Sequence, residues 1–166
     1  MQAGAPGGVF VALGSNLDEP VRQLRTALQR LDGLPGTRVL RCSSFYRTPP
    51  WGDPDQPDFV NAVAELTSAL DPLALLDALL VIESAMGRVR TRRYGPRVID
   101  LDLLLHQSHR VDGERLQLPH PRMQERAFVM LPLAEIAPAL QMPDGRRADA
   151  VAHALDASGI ERLADA

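Results

Sequence analysis

The chain has 166 residues, of which 45% are hydrophobic and 23% charged, and its formal net charge at pH 7 is −3. This composition is ordinary for one globular domain, and the negative charge argues against nucleic-acid binding driven by overall charge. The single cysteine, Cys42, excludes a disulfide within the chain and a zinc site made of cysteines alone. No apolar run reaches membrane-spanning length and the first residues lack a secretory pattern, so we expect a cytoplasmic protein without membrane contact.

The first half of the chain alternates short apolar runs with turn and cap signals. The run VFVAL at 9–13 is typical of a strand, and apolar residues then recur at helical spacing after Pro20. Asn16 or Asp18 is the candidate cap of that helix. The predicted elements are a strand at 9–13, a turn at 14–16, a helix from Pro20 ended by Gly33, and strands at 37–46 and 59–66.

A proline-rich loop, TPPWGDPDQPD at 48–58, separates the second and third predicted strands. Its four prolines exclude regular structure, and long loops in compact domains are often functional. Trp51 in this loop can stack on a flat ligand or fold back on the core. Asn61 interrupts the apolar pattern of the third strand, and its amide can bind a heterocycle or cross-link the core.

The next predicted helix, Leu73 to Met86, begins at an Asp71-Pro72 cap and ends at Gly87. Glu83 lies near its end, close in sequence to a group of arginines. Two interpretations stay open for Glu83: a salt bridge to one of these arginines, or a hydrogen bond to a ribose hydroxyl.

The segment from Gly87 to His106, GRVRTRRYGPRVIDLDLLLH, combines five arginines with two carboxylates. Its apolar second half predicts a strand in which Asp100 and Asp102 share one face, about 7 Å apart along the backbone. Ile99, Leu101 and Leu103 then face a core. Paired carboxylates favour a hard cation such as Mg²⁺, and the basic loop beside them suits a polyphosphate. The alternative is a pair of exposed aspartates bound to Arg93 or Arg97.

The last third of the chain predicts shorter elements. His120 lies between two prolines, which hold its imidazole on a rigid loop for a phosphate or base contact, although lone histidines are often incidental. The predicted elements are a weak strand within 108–114, a helical turn at 122–127, a helix at 128–136 interrupted near Pro132, a turn at 143–145 and a helix at 148–155.

The order strand, helix, strand, strand, helix, strand predicts an α+β fold with a mainly antiparallel sheet. We expect the helices to pack on one face of this sheet and the other face to carry the loops. We expect a single domain over 1–166, with frayed ends at 1–8 and 158–166.

Four stretches together closely resemble the 6-hydroxymethyl-7,8-dihydropterin pyrophosphokinase family of folate biosynthesis. They are VALGSNL at 11–17, SSFYRTPPWGDPDQPDFVNAV at 43–63, GRVRTRRYGPRVIDLDLLL at 87–105 and LPHPRMQERAFVMLPLAEIAP at 118–138. The resemblance spans about Val9 to Pro143. It implies a ferredoxin-like fold and transfer of diphosphate from ATP, with two Mg²⁺ ions, to the pterin hydroxymethyl group with release of AMP.

The resemblance also implies roles for individual residues. Asp100 and Asp102 correspond to the metal-binding carboxylates, and Arg88 and Arg97 to arginines that bind the ATP phosphates and assist transfer. The implied ATP-binding positions are Glu83, Arg88, Arg90, Tyr94, Arg97, Leu103, Arg115, His120 and Arg126. The implied pterin-binding positions are Thr48, Pro49, Trp51, Phe59, Asn61 and Phe128, with Phe59 and Phe128 enclosing the ring.

The sequence departs from the family pattern in the basic loop and at Leu80, Tyr94 and Pro121, which affects fine ATP contacts rather than the reaction. The implied partners are ATP and the pterin, and we expect a monomer. Two alternatives remain: another Mg²⁺-dependent phosphotransferase or nucleotidyltransferase, and a non-enzymatic RNA-binding module whose sheet stacks bases.

Overall fold

The computed structural model describes residues 8–17, 19–50, 55–87 and 98–163. Six of its strands form one sheet in which every pair of neighbours is antiparallel. The strands are β1 (Val9–Ser15), β2 (Thr37–Cys42), β3 (Tyr46–Thr48), β4 (Phe59–Ser68), β5 (Asp100–His106), β6 (Val111–Asp112), β7 (Gln117–Leu118) and β8 (Glu161–Arg162). The helices are α1 (Pro20–Asp32), α2 (Pro72–Ala85), α3 (Ala127–Ile136) and α4 (Ala148–Ala154), with a 3₁₀ turn at Met123–Glu125.

The order of the large sheet is β5-β1-β4-β3-β8, and β2 also pairs with β4. The second predicted strand is therefore two strands, β2 and β3, which pair with successive parts of β4. The strands β6 and β7 form a separate hairpin. The predicted α+β antiparallel architecture is confirmed.

Both faces of the sheet are covered by helices. On one face, alternate residues of β1, β4 and β5 pack with α1 and α2; we name this the first core. On the other face, Phe10, Val63 and Leu104 pack with α3 and α4; we name this the second core. The expectation that one face is free of helices is therefore wrong. Helix α3 is apolar on nearly all sides, as expected of a helix that contacts a sheet and another helix.

The helix boundaries follow local chemistry with two exceptions. Asp71 caps α2 as predicted, because its side chain accepts a hydrogen bond from the backbone N–H of Ala74. The cap of α1 is Glu19, in a left-handed conformation, rather than Asn16. The predicted interruption at Pro132 is also wrong, because α3 runs through this residue without a break.

The end of the described chain is attached to the sheet. Glu161 and Arg162 form β8 and pair with β3, although the sequence suggests fraying from residue 158. Residues 8–17, 19–50, 55–87 and 98–163 contain no helix that is long and apolar enough to cross a membrane.

Candidate active site

A row of cross-strand neighbours brings the predicted site residues together. Asp100 on β5 is opposite Gly14 on β1, which is opposite Asn61 on β4, which is opposite Tyr46 on β3. Side chains directly opposite each other in an antiparallel sheet lie on the same face. This face also carries Phe10 and therefore belongs to the second core. The predicted carboxylate and amide thus lie on one face, about two strand spacings, or about 10 Å, apart.

Gly14 leaves the space in which Asn61 is held. A Cβ atom at position 14 would lie 2.7 Å from Oδ1 of Asn61 and 3.9 Å from Cδ1 of Phe59. The Nδ2 group of Asn61 donates a 2.7 Å hydrogen bond to Oγ1 of Thr48, and both side chains are buried. This bond fixes the orientation of the amide, so Oδ1 of Asn61 points to the β1 side next to Gly14. The amide is therefore preorganised in one orientation.

Asp100 and Asp102 lie on the same face at the start of β5, as predicted, and both are half-buried. The alternate residues Ile99, Leu101 and Leu103 pack in the first core on the opposite face, which confirms that part of the prediction. Within the described part of the chain, no group of three or more acidic, histidine or cysteine side chains could enclose a metal ion. Two carboxylates suit Mg²⁺, which keeps several waters and binds through one or two carboxylates plus substrate phosphates.

His120 is held beside this face in a defined protonation state. Its backbone N–H donates to the carbonyl oxygen of Leu104 in β5, and its Nδ1 accepts a 3.2 Å hydrogen bond from the backbone N–H of Arg122. Burial, assisted by the nearby charges of Arg126 and Arg122, lowers the pKa of His120 to about 4, while Asp100 opposes the shift. The imidazole is therefore neutral at pH 7, with its proton on Nε2.

Arg126 and Phe128 lie at the start of α3, on the same side of the sheet. The guanidinium carbon of Arg126 is 5.7 Å from the ring centroid of Phe128, within the range of a cation–π contact, and its Nε is buried. Phe59 and Phe128 are both half-buried. Arg126 and Phe128 thus combine positive charge with apolar ring surface on the face that carries Asn61.

Glu83 links helix α2 to the strand that carries the two aspartates. Its side chain is buried, and Oε2 accepts a 2.7 Å hydrogen bond from the backbone N–H of Leu101, between Asp100 and Asp102. The sequence did not indicate this contact. Because the Glu83 carboxylate accepts a hydrogen bond from the backbone N–H of Leu101, it helps to fix the position of β5.

Two other predicted ATP-binding residues lie away from this row. The side chain of Leu103 is buried in the first core, on the opposite face of β5 from the aspartates. Arg115, between β6 and β7, forms an ion pair with Asp77 of α2. The predicted residues Trp51, Arg88, Arg90, Tyr94 and Arg97 lie outside the described residues.

Sequence reasoning missed two residues that shape the site. Gly14 was assigned to a turn, but it lies within β1, and a glycine inside a strand is itself a signal of close approach by another group. Asn16 is buried, and its Nδ2 donates to Oε1 of Gln56 at 2.8 Å and to the carbonyl oxygen of Pro57 at 3.0 Å. Asn16 therefore fixes the end of the proline-rich loop to the end of β1.

Comparison with known proteins gives one consistent result. The model of the family described as 7,8-dihydro-6-hydroxymethylpterin-pyrophosphokinase (HPPK) matches residues 10–138. The chain is 52% identical over 155 residues to the 2-amino-4-hydroxy-6-hydroxymethyldihydropteridine pyrophosphokinase of Pseudomonas aeruginosa, covering 93% of this chain and 96% of the relative. It is 49% identical over 154 residues to the enzyme of the same name from Methylorubrum extorquens, covering 93% of this chain and 97% of the relative.

Solved structures show the same fold at lower sequence identity. A structure titled as HPPK-DHPS in complex with substrates has a TM-score of 0.69 at 15% identity, over 89% of this chain and 44% of that one. The wild-type HPPK-DHPS of Plasmodium falciparum has a TM-score of 0.65 at 13% identity, over 89% of this chain and 43% of that one. The chain spans less than half the length of these proteins, and at 15% and 13% identity the likeness concerns the fold alone.

Proposed function

This chain belongs to the 7,8-dihydro-6-hydroxymethylpterin-pyrophosphokinase family, and we propose that it transfers diphosphate from ATP to 6-hydroxymethyl-7,8-dihydropterin in folate biosynthesis. The observation that carries the proposal is the cross-strand row Asp100, Gly14 and Asn61. It brings a carboxylate suited to metal-bound phosphate and an amide suited to a heterocycle onto one face of the sheet.

In this proposal the chain acts by positioning and electrostatics. The hydroxyl oxygen of the pterin attacks the β-phosphorus of ATP, and the bond from that phosphorus to the α–β bridging oxygen breaks, which releases AMP. The hydroxyl proton passes to solvent or to a phosphate oxygen. The chain forms no covalent intermediate. Neutral His120 offers its Nε2–H as a hydrogen-bond donor to the nucleotide, and Arg126 adds positive charge. The other proposed ATP contacts are Glu83, Arg88, Arg90, Tyr94, Arg97 and Arg115. Leu103 would contact ATP through its backbone, because its side chain is buried in the first core.

Asp100 and Asp102 would hold Mg²⁺, and we propose two ions. When bound, Mg²⁺ neutralises charge on the phosphoryl oxygens of ATP. The half-buried position of both carboxylates on one strand face fits this role. Because the two carboxylates are only part of a coordination shell, metal binding should be strengthened by ATP, whose phosphate oxygens would supply further ligands.

Recognition of the pterin is assigned to the residues around Asn61 in the row. Asn61 presents Oδ1 to the polar edge of the ring, since Thr48 accepts the hydrogen bond from its Nδ2. Phe59 and Phe128 enclose the ring, and Pro49 and Trp51 complete the proposed pterin site. Because the Asn61 amide is already fixed in the free chain, less side-chain entropy is lost when the pterin binds.

We also propose a ferredoxin-like βαββαβ topology, a single domain, a monomer and a cytoplasmic location. The strand order β5-β1-β4, with β2 and β3 together beyond β4, supports the topology. In this interpretation β2 and β3 are the two halves of one strand of the βαββαβ unit.

The direct test is to incubate the chain with ATP, Mg²⁺ and 6-hydroxymethyl-7,8-dihydropterin and to separate the products. We expect AMP and a diphosphorylated pterin in equal amounts, and no turnover without the divalent cation. Formation of ADP and a monophosphorylated pterin would contradict the proposal and favour another phosphotransferase. Salt-dependent RNA binding without ATP turnover would favour the RNA-binding alternative.

The metal assignment is tested by Asp102→Ala. We expect kcat to fall by at least about a hundredfold, because the phosphoryl charge loses a metal contact. Binding of the pterin, measured by calorimetry, should persist. Asp112→Ala, at an exposed position on β6, is the control and should retain wild-type kcat. A near-normal kcat for Asp102→Ala would overturn the metal assignment.

A further inference from the structure

The C-terminal segment 159–163 lies along the outer edge of β3. Arg162 pairs with Tyr46 and Glu161 pairs with Arg47 in an antiparallel arrangement. The backbone N–H of Leu163 donates a 2.8 Å hydrogen bond to the carbonyl oxygen of Phe45. Because β3 is only three residues long, this pairing holds its second edge while β4 holds the first.

Side chains strengthen this attachment on both faces. Nε of Arg162 donates to Oγ of Ser44 at 2.9 Å, and its guanidinium lies 3.6 Å from the carboxylate of Glu135 on α3. The same carboxylate accepts a 2.6 Å hydrogen bond from the hydroxyl of Tyr46. Arg47 and Glu161 form an ion pair on the outer side. The segment is therefore connected to β3 and to the helix that covers the second core.

Gly159 brings the segment against Pro49. Its φ is +80°, and a Cβ atom at this position would lie 2.9 Å from Cγ of Pro49. Any other residue would combine a strained backbone with a collision against the pyrrolidine ring. Pro49 follows Thr48, which accepts the hydrogen bond that orients Asn61. The segment thus contacts the same short stretch of chain that fixes the proposed pterin-reading amide.

We propose that segment 159–163 positions the Thr48–Pro49 wall of the pterin site, with Gly159 as the residue that sets the place of Pro49. This inference rests on the proposed function. It assigns to the C-terminal segment, which lies beyond the 10–138 family match, a role in pterin affinity rather than in ATP binding or phosphoryl transfer. Gly159 is a positioning residue, since it acts through Pro49.

The test compares Gly159→Ala with a matched control, Gly145→Ala. Both glycines have a left-handed backbone, with φ of +80° and +92°, but a Cβ atom at Gly145 meets nothing within 4 Å. Both variants therefore carry similar backbone strain, and only Gly159→Ala displaces Pro49. We expect Gly159→Ala to raise KM for the pterin about threefold to tenfold, with KM for ATP and kcat within about twofold of wild type.

A double-mutant cycle tests the route through Pro49. Pro49→Ala removes the ring atom that a new Cβ at position 159 would meet. In a Pro49→Ala background, Gly159→Ala should therefore raise KM for the pterin by less than about twofold. An unchanged effect of Gly159→Ala in that background, or an equal rise in Gly145→Ala, would overturn the inference.

Direct measurements of ligand binding distinguish failure of this inference from failure of the proposed function. Calorimetry with 6-hydroxymethyl-7,8-dihydropterin and a non-hydrolysable ATP analogue should show weaker pterin binding for Gly159→Ala and unchanged analogue binding. A wild-type chain that neither binds the pterin nor turns over would overturn both proposals, whereas an active wild type with an unaffected Gly159→Ala would overturn only this one.

Arg162→Ala serves as a second variant if Gly159→Ala does not fold. It removes the contacts to Ser44 and Glu135, and Arg146→Ala is its control, because Arg146 forms a comparable exposed ion pair with Asp144. We expect a selective rise in KM for the pterin in Arg162→Ala. Equal KM values for the pterin in the two arginine variants would contradict the inference.

Discussion

At the scale of the residue, His120 illustrates how neighbours fix a protonation state. Its Nδ1 accepts a backbone N–H, and it is partly buried beside Arg126 and Arg122. These surroundings disfavour the imidazolium form, although the carboxylate of Asp100 favours it. A neutral donor in a cation-rich site can bind phosphate or sugar oxygen without changing charge near neutral pH.

This environment predicts a measurable titration. The folded-state pKa of His120 is about 4, below the value of about 6.5 expected in the unfolded chain. The unfolded chain therefore binds more protons between these two values, and the free energy of unfolding should fall as pH drops from about 6.5 to about 4. NMR titration of the imidazole should give the low pKa, and urea denaturation should show the pH dependence.

The variant His120→Gln should have a shallower decline in unfolding free energy across this window than wild type. His153→Gln, at an exposed position on α4, is the matched control and should keep the wild-type slope. A His120 that titrates near 6.5 in the folded chain would refute the assignment of a neutral donor at mildly acidic pH.

At the scale of the element, the position of β5 depends on helix α2. Glu83, buried in the last turns of α2, accepts the backbone N–H of Leu101. Leu101 faces the first core while its neighbours Asp100 and Asp102 face the other side. This hydrogen bond thus connects the helix to the part of the strand that presents both carboxylates.

We therefore expect Glu83→Ala to lower the free energy of unfolding by about 1–3 kcal/mol, because a buried N–H loses this acceptor. It should also lower kcat by displacing the two aspartates. Glu83→Gln keeps an oxygen acceptor and should recover most of both losses. Urea denaturation and steady-state kinetics measure the two effects, and a Gln variant as impaired as the Ala variant would show that the negative charge, not the hydrogen bond, is required.

At the scale of the whole molecule, one sheet separates two cores of similar construction. Leu79 of α2 is fully buried in the first core, and Leu133 of α3 is fully buried in the second. Strands β1, β4 and β5 contribute residues to both cores. Unfolding of the helix layer on either face, α1 and α2 or α3 and α4, would therefore expose the same sheet. The two layers should therefore unfold together.

We expect Leu79→Ala and Leu133→Ala each to lower the free energy of unfolding by about 2–5 kcal/mol, with a single transition in urea monitored by circular dichroism and fluorescence. Leu73→Ala is the control, because the Leu73 side chain is 48% exposed and its truncation should change stability by less than about 0.5 kcal/mol. Two separate transitions in either core variant would mean that the layers are independent.

Short sequence patterns predicted most of the helices and strands, whereas they did not predict how distant elements pack against each other. The Asp71-Pro72 cap, the alternating faces of Asp100 and Leu101, and the antiparallel sheet all follow from rules that act over a few residues. The covering of the second face by α3 and α4 was missed, because periodicity shows that a helix is apolar but not which surface it covers. The attachment of 159–163 was missed because a two-residue strand carries almost no pattern.

The same limit applies to the candidate site. The aspartates and Asn61 could be predicted from polar residues in apolar strands, and the resemblance to a family supplied roles for residues such as His120 that spacing alone left open. The contact between Gly14 and Asn61 required the strand pairing, since 47 positions separate them in the chain, from 14 to 61.

The row Asp100, Gly14 and Asn61 makes the geometry of this face independent of the lengths of the loops that join its strands. The interval between the carboxylate and the amide is set by backbone pairing, so insertions or deletions in the connecting loops leave it unchanged. A slip of one residue between β1 and either neighbour would instead turn one of these groups to the opposite surface. The separation of these two groups therefore tolerates changes in loop length, but it requires the pairing of these three strands to be kept.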